Sequence, residues 1–117
     1  MNTKIIKINS EFIEFDNGYK LLSEHDQDCC EQHYLYFNDL DIEDTKNLEF
    51  DLNNENFFEK LEGYGIGLKP ILGFPIRIPG YGSNNGHYST NLTLLLTDKN
   101  NKMIKSYDIS ECQEIND

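Results

Sequence analysis

At 117 residues, 13.6 kDa and a formal net charge of −11, the chain has room for one hydrophobic core, and residues 1–117 are read as a single domain. The charge is local: residues 23–62 carry thirteen Asp or Glu against Lys46 and Lys60, while both flanks are neutral. Such a surface has no cationic footprint for phosphates or anionic membranes, which excludes direct nucleic-acid and membrane-surface binding and leaves a basic protein or a cation as partner.

The opening Met-Asn-Thr-Lys-Ile-Ile-Lys-Ile has neither the apolar run nor the small-residue site of a secretory signal, and no segment reaches the length of a membrane span. The expectation is a cytoplasmic protein whose three Cys stay reduced. Residues 3–8, 11–15 and 19–23 read as short strands, with Asp16-Asn17-Gly18 as the tight turn between the second and third. Residues 33–38 alternate, with His33, Leu35 and Phe37 on one face and Tyr34 and Tyr36 on the other. Residues 48–52 alternate as well. Asn54 to Gly63 reads as a short helix, with Asn54 as cap, Phe57, Phe58 and Leu61 on one face and Gly63 as stop.

Residues 63–86 hold seven of the eight Gly and all three Pro, so they read as loop, broken by an edge strand over 74–79 whose flanking prolines suit no other position. Leu92, Leu94 and Leu96 then share one side of a strand, Asp98 to Asn101 form a polar loop, and residues 102–109 return as its hairpin partner. The sum is an α+β domain, a compact and mainly antiparallel sheet with one or two short helices; a small β-sandwich or roll is the alternative.

The stretch Glu24-His-Asp-Gln-Asp-Cys-Cys-Glu-Gln-His33 offers several readings. Zinc could use His25, Cys29, Cys30 and His33, all accepted ligand types, but the spacing lacks paired Cys-x2-Cys knuckles. Nucleophilic chemistry at Cys29 or Cys30 is opposed by Glu24, Asp26, Asp28 and Glu31, which disfavour a thiolate. Adjacent cysteines also make a poor disulfide. The preferred reading is a buried corner without metal, with Glu24, His25 and Asp26 facing water. Asp51, Asn53, Glu55, Glu59 and Glu62 match five positions of a calcium loop, but Asn56 stands where Gly belongs and Gly63-Tyr-Gly65 forbids an exit helix. The glycines of 63–67 and 80–86 lack the Lys-Ser/Thr tail of a phosphate loop.

Three pieces, Asp28-Cys-Cys-Glu31, Gly82-Ser-Asn-Asn-Gly86 and Ile109-Ser-Glu-Cys-Gln113, together resemble a family of short phage-encoded and bacterial prophage proteins that carries no established activity. The resemblance implies a phage or prophage origin and nothing about catalytic residues or cofactors. The functional expectation is a non-enzymatic protein-binding or regulatory module without a cofactor. Its candidate contact residues are Asp39, Asp41, Glu43 and Asp44 in the acidic segment and Tyr81, Asn84, Asn85, His87 and Tyr88 in the Gly/Asn/Tyr loop. Its expected partner is a basic or nucleic-acid-binding host protein. The alternatives are a zinc protein of hydrolytic type on the Cys/His cluster and a small-molecule sensor using the loop.

Overall fold

Short β-branched and aromatic runs interrupted by Asn, Asp and Gly turns dominate the chain, and each run becomes a strand. The structure is a computed structural model and describes residues 2–25, 32–83 and 91–116. The strands are β1 (Thr3–Ile8), β2 (Phe12–Phe15), β3 (Lys20–Glu24), β4 (Gln32–Leu35), β5 (Glu49–Phe50), β6 (Phe58–Leu61), β7 (Gly65–Leu68), β8 (Ile76–Ser83), β9 (Thr93–Thr97), β10 (Met103–Asp108) and β11 (Glu114–Asn116). Among the described residues the helical pieces are one 3-10 turn, Phe37–Asp39, and α1, Ile42–Thr45.

A six-stranded sheet runs β10-β9-β3-β2-β1-β5, and a five-stranded sheet runs β11-β8-β7-β6 with β4 also paired to β8. All pairings are antiparallel except β11 on β8. In the first sheet Ile5, Ile13, Phe15, Leu21, Phe50, Leu94 and Leu96 point inward, and they join Leu35, Phe37, Ile66, Leu68 and Ile78 of the second half in one continuous core. The sheets are tied at β3 and β4, where the Leu35 amide donates to Ser23 Oγ at 3.1 Å.

The α+β expectation is therefore overturned: the architecture is curled, mainly antiparallel sheet, with no helix longer than the single turn of α1 among the described residues. The helix expected from Asn54 to Gly63 is a turn followed by β6, which forms a hairpin with β7. Gly63 turns the chain with φ of +76°, a conformation that glycine adopts without steric cost. Phe57 and Phe58 are buried as neighbours from opposite ends of this turn-to-strand transition, rather than as one helical stripe.

The glycine-rich span 63–86 is likewise not all loop: up to Ser83 it holds β7 and β8 on either side of an irregular stretch at 69–75. Strand β8 has β7 alone as strand partner over Ile76–Ile78, as an edge would, but gains partners on both sides from Gly80 onward. It pairs with β4, β7 and β11. Pro79 passes through this central strand because its carbonyl accepts from Tyr36 N at 2.8 Å, while the next amide, Gly80 N, donates to Tyr64 O at 2.6 Å; no ladder bond needs the missing proline N–H. No helix among the described residues is long and apolar enough to cross a membrane.

Candidate functional site

Strand β4 has two faces of opposite character, set by what stands across from it on β8. His33 and Leu35, which point inward, are paired with Gly82 and Gly80. Tyr34, which points outward, is paired with Tyr81. In the next register position on the same row, Glu114 of β11 lies beside Tyr81.

The outward face carries a cluster of three tyrosines. Ring centroids are separated by 6.5 Å for Tyr34 and Tyr36, 6.1 Å for Tyr34 and Tyr81, and 5.9 Å for Tyr36 and Tyr81. Tilted and edge-on contacts at these separations are the favourable ones for aromatic quadrupoles. The cluster still leaves Tyr34 43% and Tyr36 40% exposed. Partial burial, followed by the carboxylates of Asp39 and Glu114, pushes the Tyr81 phenol above its ordinary value of 10.0, so these rings and acids share one field.

The inward face carries a different constellation. Gln113 Oε1 lies 2.6 Å from His33 Nδ1, and Gln113 Nε2 donates to the Ser110 carbonyl at 2.9 Å. This bridge crosses directly over Gly82, where a Cβ would stand 2.5 Å from His33 Nδ1 and 2.6 Å from Gln113 Oε1. Glycine is required there by space. His25, just after β3, lies against His33 with ring centroids 4.4 Å apart. Its Nδ1 is 2.5 Å from the Asn91 carbonyl oxygen, so His25 is half-buried and bonded, contrary to the expectation that it faces water.

Of the residues expected to bind a partner, Asp39 and Tyr81 are brought together. Asp41 is occupied as the cap of α1, accepting from Glu43 N at 2.9 Å. Glu43 pairs with Lys46 at 2.5 Å on an exposed surface, and Asp44 is exposed on α1. Asn84, Asn85, His87 and Tyr88 lie outside the described residues, as do Cys29 and Cys30. The third cysteine, Cys112, is fully buried, and burial raises its thiol pKa, which disfavours the thiolate.

Of the calcium-loop positions, Glu55 bonds Lys105 at 2.9 Å, and Glu59 on β6 lies over Gly67 of β7. Among the described residues no group of three or more His, Cys, Asp or Glu could hold a metal. A cleft of about 450 Å³ between Asn54, Phe57 and Lys69 is not lined by Tyr81, the described member of the loop set.

Sequence reasoning missed Tyr34, Tyr36, Gln113 and Asn91 as site residues. The alternation of residues 33–38 did show the two tyrosines sharing a face, and only the pairing with Tyr81 was hidden. No family model, curated protein or solved structure matches the chain.

Proposed function

We propose that the protein is a non-enzymatic protein-binding module whose contact surface is the tyrosine cluster Tyr34, Tyr36 and Tyr81, and whose partner presents a basic segment. The observation that carries this reading is the row Tyr34–Tyr81–Glu114 across three strands, with Asp39 beside it. Tyrosine offers large, rigid, amphipathic contact area with little entropy to lose. An Arg or Lys stacked on such rings gains cation–π attraction of about 0.5–2 kcal/mol. The acids at the rim and the net charge of −11 steer a cationic partner toward the site and repel anionic ones. A host nucleic-acid-binding protein has the required basic surface, and the phage or prophage origin implied by the sequence resemblance is compatible with such a target.

A second apolar surface competes for the role. The loop between Pro70 and Pro75 leaves Leu72 84% and Phe74 91% exposed, but the structure gives it no ring cluster. A panel of immobilised peptides separates the two surfaces. Arg- and Lys-rich peptides should retain the wild-type protein, acidic peptides should not, and retention should weaken as salt rises because rim charges are screened over about 8 Å at physiological ionic strength. Tyr34→Ala/Tyr36→Ala should lose retention at least tenfold with an unchanged fold, whereas Leu72→Ser/Phe74→Ser should keep it. Equal retention by the tyrosine variant, or loss confined to the Leu72/Phe74 variant, would overturn the reading.

A further inference from the structure

The three tyrosines of the outward surface do not make a flat platform, because no two of their planes are near parallel. Tyr34 and Tyr36 meet at 83°, Tyr36 and Tyr81 at 60°, and Tyr34 and Tyr81 at 51°. A planar guanidinium stacks on one ring face, so it could engage only one of the three fully. A rounded cation has no such restriction. Seated about 4 Å above the plane of the three centroids, it would lie within the roughly 6 Å reach of cation–π attraction for every ring at once.

The backbone fixes this arrangement before any ligand arrives. Tyr34 and Tyr81 are a registered pair on β4 and β8. The Tyr36 amide donates to the Pro79 carbonyl at 2.8 Å, and the Tyr36 carbonyl accepts from Asp39 N at 3.2 Å, which keeps Asp39 beside the cluster. Glu114 of β11 stands on the far side of Tyr81 from Tyr34. A site organised in advance loses less freedom on binding. Both acids are exposed, so they supply negative charge at the rim rather than a dry ion pair.

The chain's own cations act elsewhere: among the described residues, those found over a ring are Lys7 and Lys20, both on Phe12, at 5.7 and 4.9 Å. A primary ammonium is compact and strongly hydrated, and it would give up water for ring faces at the tyrosine cluster. A quaternary ammonium has no N–H to satisfy, and its tetrahedral methyl groups can meet rings at three inclinations. We propose that Tyr34, Tyr36 and Tyr81, with Asp39 and Glu114 at the rim, bind a quaternary ammonium head group carried by a trimethylated lysine of the partner. This rests on the tyrosine-surface reading above and narrows the partner it requires.

The test titrates the full chain with peptides of one Lys-rich sequence whose central residue is Lys, Arg, trimethyllysine or the neutral tert-butyl isostere of trimethyllysine, and separately with choline. Calorimetry gives affinities, and NMR spectra follow the tyrosine rings. The trimethyllysine peptide should bind about tenfold more tightly than the other three and shift the ring signals of Tyr34, Tyr36 and Tyr81. Tyr36→Leu, at an exposed ring, should remove that preference with the fold intact, and Tyr81→Leu should do the same if its melt is unchanged. Asp39→Asn/Glu114→Gln should weaken every cationic peptide and leave their order unaltered. Equal affinity for Lys and trimethyllysine, or for the neutral isostere, would overturn this inference; if binding is still lost in Tyr34→Ala/Tyr36→Ala, the tyrosine surface itself stands. Undiminished binding of the trimethyllysine peptide in that double variant, or no binding of any peptide, would overturn both. Choline binding more tightly than the trimethyllysine peptide would overturn the lysine source in favour of a free small molecule.

Discussion

The two sheets are built on different principles. The β10-β9-β3-β2-β1-β5 sheet is held by bulk: Phe15 is fully buried and meets Phe50 edge-on, with ring centroids 5.9 Å apart and planes at 73°, and its neighbours are Ile and Leu. The sheet centred on β8 is organised by omission. Gly80 and Gly82 remove side chains from its inner face so that Cys112 and Gln113 can cross it, and tyrosines occupy the opposite face. Stability is concentrated where side chains are large, and chemistry is concentrated where they are missing or displaced outward.

If that division is real, the largest effect belongs to the first sheet. Phe15→Ala removes a ring from the centre of the core and should cost about 3–5 kcal/mol, read from denaturant unfolding; a loss under 1 kcal/mol would break the comparison. A smaller cost belongs to the second sheet. Gly82→Ala puts a methyl group into the His33–Gln113 bridge and should cost about 1–3 kcal/mol. It should also displace the His33 ring resonances in NMR spectra, an effect Phe15→Ala should not share. If the His33 signals stay in place, Gly82 is not the gap through which the bridge passes.

The smallest effect sharpens the contrast by asking what a surface charge adds to the first sheet. Asp16 accepts hydrogen bonds from the Thr3 hydroxyl and from Lys4 N, and the Thr3 bond, more than any other contact, holds its carboxyl below 3.8. Because the folded pKa lies below the unfolded one, the stabilisation is complete above 3.8. It is lost as the pH falls through the lower, folded value. Asp16→Asn should therefore be slightly less stable than wild type at pH 7, and the two should converge in acid. A constant difference down to pH 2 would contradict the assignment.

The sequence disclosed the parts of the fold in which each strand announces its own periodicity. Leu92, Leu94 and Leu96 alternate, Asp16-Asn17-Gly18 turns with Gly18 at φ +90°, and both hairpins form as read. It misled where two periods fit the same residues. Phe57, Phe58 and Leu61 satisfy a helical spacing, but Gly63, Gly65 and Gly67 next to them permit a hairpin that packs tightly on β8. Glycine reads locally as loop because its cost is entropic, and its use as a gap in a central strand depends on what crosses it. The candidate site was half legible for the same reason. His25, His33, Asp39 and Tyr81 were visible as chemistry, but Gln113 and Asn91 enter only through pairings of residues far apart in the chain.

The place of β3 in the first sheet has a consequence for how the chain is made. Its partner on one side, β2, precedes it across a tight turn, whereas on the other side Lys20 must find Thr97 and Glu24 must find Thr93. At about 5–20 residues per second, roughly 4–14 s of synthesis separate the emergence of β3 from that of β9. Throughout that interval a ribosome-bound meander of three strands presents Leu21 and Leu22 beside an unpaired edge. Such an edge can recruit a second nascent chain, so yield should depend on chaperone supply and translation speed more than on the stability of the finished sheet. Refolding of the released chain should fall in the millisecond-to-second range of topologies dominated by distant pairings.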